Sequence, residues 1–214
     1  MTEASAAGVP QFYVRAEADA SALVACREQL IERIEGDVNV RLSLTDLLIR
    51  AQALALSDLP EACATWQDGA LVPAESVDLG LVVSLPGGLL IPILRGVDRL
   101  SLAELVRSRS ELVAAARAGR LGSDCLAGGV SSLSNLGSSR VDEFTALVAP
   151  PQSSILAVGR LTPRPLVADG QLVVRPTLRL TLSCDHRVID GALAAELLGR
   201  IVSLIEQPTL LLYR

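Results

Sequence analysis

The sequence predicts an α/β (α+β) domain in which a mixed β-sheet is covered by helices. Helical and extended stretches alternate along the chain without the regular strand–helix–strand rhythm of a parallel sheet. Half of the 214 residues are hydrophobic but only 2% are aromatic, so the core must be built from Leu, Val, Ile and Ala. The extended stretches 77–85 and 89–94 do not alternate cleanly between apolar and polar residues, as expected for strands covered on both faces. A chain of this length buries one sizeable core and is most simply one domain.

Residues 1–9 are small and polar and are expected to be a disordered segment or a linker remnant, which leaves 10–214 as the domain. Residues 11–18 have strand character. Asp19 or Ser21 then caps a helix that carries Leu23, Cys26, Leu30, Ile31 and Ile34 on one face. Ser43-Leu44-Thr45-Asp46 resembles a capping box with Asp in place of Glu or Gln, and the helix behind it, 47–56, is apolar nearly all round and so expected to be buried. Asp68-Gly69 signals a hairpin within 65–71, and Pro86-Gly87-Gly88 makes the turn between strands 77–85 and 89–94. Ser101 caps a helix that reaches about residue 118 and is ended by Gly119. Residues 128–136 form a Gly- and Ser-rich strand and 154–161 another. Asp169-Gly170 turns 165–167 into a strand over 171–183. The last helix covers 191–205 and is stopped by Gln207-Pro208.

Charge and composition exclude several functions. A net charge of -5 argues against nucleic acid as a partner. All 19 basic residues are arginine. The chain therefore has no Schiff-base lysine, no P-loop lysine, and no lysine to carry lipoate or biotin. Cys26, Cys63, Cys125 and Cys184 are widely spaced and share one histidine, so no metal site is expected. The uncharged run 79–94, which no other exceeds in length, is broken by Pro86-Gly87-Gly88 and falls short of the ~20 residues of a membrane span. No membrane association is expected. Nothing at the N-terminus resembles a signal peptide, which makes reduced thiols in the cytoplasm the default. The mean hydropathy of +0.43 is high for a monomer; apolar surface buried between subunits would account for it, as would a large aliphatic core.

Two stretches carry candidate chemistry. His186, the only histidine, stands in Ser183-Cys184-Asp185-His186-Arg187-Val188-Ile189-Asp190-Gly191, where strand character stops and helix character begins. Fixed backbone on both sides suits a reactive imidazole, although a lone histidine is more often structural. Asp190 alone looks like a helix N-cap. Ser131-Ser132-Leu133-Ser134-Asn135-Leu136-Gly137 taken alone is a turn at a strand end.

Asp-His-Arg-Val-Ile-Asp-Gly resembles the signature of the dihydrolipoamide acyltransferases of 2-oxo acid dehydrogenase complexes. Residues 128–137, ending Ser-Asn-Leu-Gly, are similar to the second signature of that family, and residues 150–159 to its third. The likeness extends back to Pro10-Gln11-Phe12-Tyr13 and 60–66 and so covers nearly the whole chain. It implies the two-layer sandwich of chloramphenicol acetyltransferase and a homotrimer with active sites between subunits, with further assembly into a cage left open. It implies His186 as the base that takes a proton from a thiol of coenzyme A or dihydrolipoamide. Ser134 of the neighbouring subunit is implied as oxyanion donor, and Asp190 as the residue that positions the histidine loop. Cys184 is then a bystander. The lipoyl group would be supplied in trans, on another polypeptide or on a part of the protein outside these residues. Acetyl is the favoured acyl group, with a branched-chain group second.

Three departures stand against the likeness. The Arg-Lys-containing helix that precedes Pro10 in the family is almost lacking from these residues, Ser138-Ser139-Arg140 replaces an apolar-Phe-Gly, and the lipoyl and subunit-binding domains that precede the core in the family are not among these 214 residues. Two other readings remain: a non-catalytic scaffold core, and a stand-alone acyl-CoA:alcohol acyltransferase, against which Asp185 and Arg187 count. The apolar tail, 209–212, either docks trimers or covers its own subunit's core.

Overall fold

The computed structural model describes residues 8–168 and 170–212. The elements run β1 (Gln11–Asp19), α1 (Ser21–Val38), α2 (Leu44–Asp58), β2 (Ala64–Gln67), β3 (Ala70–Pro73), β4 (Leu79–Leu81), β5 (Val83–Leu85), β6 (Gly88–Leu90) and β7 (Ile93–Leu94). They continue with α3 (Leu102–Arg117), β8 (Ser131–Asn135), β9 (Ser154–Val158), β10 (Thr162–Ala168), β11 (Gln171–Asp185) and α4 (Gly191–Glu206), and a short helical turn, Pro208–Leu212, follows. The main sheet has the order β1-β11-β9-β8-β4-β7, with β10 joined to the outer half of β11. It is mixed, as expected: β8 runs parallel to β9 and β4, and β11 antiparallel to β1, β9 and β10.

The helices form where their sequences satisfy the first turn. Ser43 and Asp46 make the predicted capping box, with the Ser43 N–H donating to Asp46 Oδ2 at 2.8 Å. Ser101 and Glu104 make a second. At α1 the N-cap is Ala20, but the Asp19 carboxylate still accepts the Ser21 N–H at 2.9 Å, so the predicted residue does the work from one position earlier. The apolar helix α2 is buried continuously from Asp46 to Leu56.

Alternation of side chains gives the sheet two unlike faces. Leu178, Leu180, Leu182 and Cys184 of β11, Leu156 and Val158 of β9, and Leu133 of β8 join the helices in one core. The other face carries Thr181 and Ser183, Ile155 and Ala157, and Ser132 and Ser134. An irregular segment, 141–149, crosses this outer face. It is held by side chains instead of a backbone ladder: Asp142 by Arg160 and Arg164, Glu143 and Thr145 by Arg15, Ala146 C=O by Ser183 Oγ, and Val148 N–H by Gln11 Oε1. Gly159 permits the approach, because a Cβ there would collide with the Asp142 carbonyl.

Several boundaries differ from the sequence reading. Strands 77–85 and 89–94 each break in two: β4 and β7 sit in the main sheet, and β5 pairs β6 in a separate hairpin. Only the inner halves are covered on both faces; Leu89 at the tip is 51% exposed. The strand expected over 128–136 begins only at Ser131, because Gly128 and Gly129 adopt φ of 87° and 85°. The stretch 154–161 ends as β9 at Val158, and β10 starts at Thr162. Val9, assigned to the N-terminal segment, is buried. Residues 1–7 of that segment, Asp169 of the predicted turn, and the final two residues lie outside the described residues. In the tail, Leu211 is buried and joins the subunit's own core, whereas Leu210 and Leu212 are exposed. No described helix is long and apolar enough to cross a membrane.

The tail is tied down by Arg50 of α2, which is 1% exposed. Its guanidinium donates to the Leu100 carbonyl at 2.8 Å, to those of Val97 and Leu211 at 3.3 Å, and to that of Asp98 at 3.4 Å. Buried carbonyls that lose a donor pay their full desolvation cost. Arg50→Leu is therefore expected to lower unfolding free energy by about 3 kcal/mol or more in urea titrations.

Candidate active site

The histidine is set by backbone pairing that begins in β11. Asp185, its last residue, donates its N–H to Ser153 O at 2.8 Å, and its C=O accepts the N–H groups of both Val188 and Ile189 at 3.0 Å. The chain thus folds into a tight turn with His186 at its apex. The His186 N–H donates to Pro10 O at 2.9 Å, just before β1. The side chain is exposed, with its ring centroid 4.6 Å from that of Phe12, which packs against the core.

Asp185 and Arg187 lock the same turn. The Asp185 carboxylate is buried and receives Arg187 Nη2 at 2.6 Å, Nε at 2.9 Å and the Arg187 N–H at 3.0 Å. Hydrogen bonding to Asp185 pushes the guanidinium further toward its charged form. The guanidinium lies 5.4 Å from the ring of Trp66, the only tryptophan. This bidentate, ring-backed pair was not singled out from the sequence, although the Asp-His-Arg string and a lone Trp were its visible signals. Asp190 is the N-cap of α4 and accepts the Leu193 N–H at 2.8 Å. It fixes the exit of the turn.

Ser134 lies on β8, on the outer face, and is 7% exposed. It lines a cavity of about 260 Å³ between the sheet, the crossing segment and the β5–β6 hairpin. Val82, Leu89, Ile91, Phe144 and Ile155 supply much of the wall. Below Ser134 the strand is pinned by buried polar groups that the sequence reading missed. Gln52 of α2 donates to Ser131 Oγ at 2.8 Å and Ser132 O at 3.0 Å, and Ser132 Oγ bonds Gln152. Two glutamines far apart in sequence gave no local pattern to find.

One chain does not bring His186 and Ser134 together. Ser134 pairs with Ala157, and Ala157 with Thr181, so these three residues lie on one line across the sheet. His186 is five positions beyond Thr181 and two strands away, which separates it from Ser134 by roughly 19 Å at normal strand rise and spacing. Proton transfer and oxyanion binding work over about 3 Å. The two side chains can share a substrate only if two copies of the chain face each other. Among the described residues no group of His, Cys, Asp and Glu could hold a metal ion.

Cys184 sits two residues before His186 but points into the core. Burial, with the neighbouring Asp185 charge, pushes its thiol up to about 12. Cys63 is likewise pushed up to about 11 by burial and the charges of Asp98 and Asp78. Neither is a thiolate near neutral pH. A raised folded-state value stabilises the fold fully below the unfolded thiol value of roughly 8.5 and loses that contribution as pH rises toward the folded value. Stability of the wild type should therefore fall from about pH 8.5 upward, and Cys184→Ala should flatten that slope in urea titrations run across alkaline pH.

A family model described as 2-oxoacid dehydrogenases acyltransferase (catalytic domain) matches residues 1–213. The acetyltransferase component of the pyruvate dehydrogenase complex of Rhizobium meliloti is 38% identical over 203 residues, covering 94% of this chain and 45% of that protein. The chain spans about half the length of the curated relatives it matches. The dihydrolipoamide acetyltransferase of Azotobacter vinelandii superposes with a TM-score of 0.92 at 34% identity, covering 98% of this chain and 87% of that one. That structure was studied for the role of a serine, a histidine and an asparagine in catalysis; its serine precedes its histidine by 52 residues and its asparagine follows by four. Ser134, His186 and Asp190 have the same spacing, with Asp in the asparagine's place. The cubic core of a pyruvate dehydrogenase multienzyme complex matches equally well, with a TM-score of 0.92 at 34% identity over 98% of this chain and 87% of that one. A chloramphenicol acetyltransferase shares the fold, with a TM-score of 0.60 at 15% identity over 95% of this chain and 89% of that one. The chain belongs to the 2-oxoacid dehydrogenase acyltransferases and comprises their catalytic domain.

Proposed function

We propose that this protein transfers an acyl group between dihydrolipoamide and coenzyme A, in active sites that each take residues from two copies of the chain. One observation carries this reading. An exposed, backbone-fixed histidine and a serine at a cavity keep the spacing of a related acetyltransferase, yet stand too far apart in one chain to act together. A ring of head-to-tail contacts resolves this, because each copy gives its His186 to one neighbour and its Ser134 to the other. A homotrimer is the smallest closed form that fits the family, and the related cubic core makes further assembly into a cage a natural extension. The dihydrolipoyl group comes from outside these 214 residues, since they contain no lysine. Four free thiols suit a reducing compartment, with the cytoplasm as the default.

In this reading His186 takes the proton from the acceptor thiol as its sulfur bonds to the acyl carbon. Ser134 Oγ donates to the oxyanion of the tetrahedral intermediate. The carbon–sulfur bond to the departing thiol then breaks, and the imidazolium returns its proton to that sulfur. Asp185, Arg187 and Asp190 hold the turn so that the imidazole needs little reorganisation.

The test is acyl transfer from acetyl-CoA to free dihydrolipoamide. His186→Ala is expected to abolish it, and Ser134→Ala to lower kcat by about 10²–10³-fold. Mixed assemblies of the two variants should regain activity, because some sites then pair an intact histidine with an intact serine. Activity that survives His186→Ala would overturn the reading, and a mixture that stays inactive would overturn the two-copy site.

A further inference from the structure

We propose that Phe12 is the positioning residue of the imidazole: its ring holds the His186 side chain in the orientation from which it takes the thiol proton. The inference rests on the proposed role of His186 as the base. Backbone pairing fixes where the histidine side chain starts but not where its ring points. The turn and the Pro10 carbonyl set the backbone of His186, and two side-chain torsions remain. In a Ser-His-Asp site a carboxylate bonded to the ring removes that freedom. Here both flanking carboxylates are engaged elsewhere, Asp185 by Arg187 and Asp190 by the Leu193 N–H. Among the described residues no hydrogen bond from another residue reaches the imidazole.

The contact that orients the ring is with Phe12, at 4.6 Å between centroids and an interplanar angle of 47°. Tilted aromatic pairs at about 4.5–7 Å attract each other in specific geometries. Phe12 can serve as an anchor because its own place is fixed. It pairs with Cys184 in the β1–β11 ladder, which turns its side chain to the inner face, and it packs against the core there. Aliphatic side chains do that packing almost everywhere else in a chain with only two phenylalanines. A flat ring at position 12 adds what an aliphatic group would not, a partner that favours particular orientations of the imidazole. The strand β1 thus holds the histidine twice, by the Pro10 carbonyl on its backbone and by Phe12 on its ring.

The experiment measures transfer from acetyl-CoA to free dihydrolipoamide by Phe12→Leu, Phe12→Met and Phe12→Tyr, with the assembly state of each compared with the wild type. The Leu and Met variants, which keep apolar bulk but lose the ring, are expected to lower kcat by about ten- to a hundredfold with KM for both substrates little changed. Phe12→Tyr keeps the ring and should keep most of kcat. Val14→Ala is the control: Val14 lies two residues further along β1 and packs against the same core, so its loss should leave kcat unchanged. Wild-type kcat in Phe12→Leu and Phe12→Met would overturn the inference and leave the proposed function standing. So would a change in KM without a change in kcat, an equal loss in Val14→Ala, or a loss that Phe12→Tyr shares in full. Failure of both ring-less variants to assemble would overturn it too, since Phe12 would then serve the fold and not the imidazole. No transfer by the assembled wild type would overturn both readings.

Discussion

Backbone pairing along the fifteen residues of β11 governs the rest of the structure. Its inner half is bonded on both sides, to β1 over Thr177–Asp185 and to β9 over Leu180–Cys184, so it cannot shift without breaking two ladders. A slip of one residue would also turn Leu178, Leu180 and Leu182 out of the core. That rigidity is passed to the histidine. The last ladder residue, Asp185, closes the turn through its carbonyl and locks it through its carboxylate, and His186 projects from the turn. The same register places Ser134 at the other end of the sheet.

The two faces of the sheet have separate tasks. The inner face is an aliphatic core against four helices, which explains how a chain with 2% aromatic residues folds. The outer face is polar yet largely buried, with Ser132, Ser134, Thr181 and Ser183 at 7% exposure or less. Burying such groups is costly unless they are hydrogen-bonded, and Ser132 and Ser183 are engaged by Gln152 and the crossing segment. Between this face, the crossing segment and the β5–β6 hairpin lies the largely apolar cavity that Ser134 lines.

Local signals in the sequence were reliable where the cause was local. The capping box at Ser43, the helix cap at Ser101, the Asp-Gly hairpin and the end of α3 all depend on residues within a few positions. The boundaries that failed depend on distant partners. Residues 77–85 and 89–94 look like two uniform strands, but only the halves that reach β8 and each other in the main sheet are covered on both faces. Arg50, Gln52 and Gln152 are invisible as site or core residues because nothing adjacent to them hints at carbonyls and hydroxyls 20 to 161 positions away.

By itself the sequence determined the mixed sheet with covering helices, the helix starts, the lack of any lysine, and His186, Ser134 and Asp190 as candidates. The sheet and the helix starts follow from short-range periodicity and capping chemistry written in consecutive residues, whereas the three candidates came from the resemblance of their motifs to those of the acyltransferases. Only the tertiary structure decided that Asp185 and Arg187 form the lock on the turn, that Cys184 points into the core, and that Ser134 opens on an apolar cavity. It also decided that the histidine and serine of one chain are held at opposite ends of the sheet. Register and strand order set those relations, and both arise from pairing between segments that a linear reading cannot align.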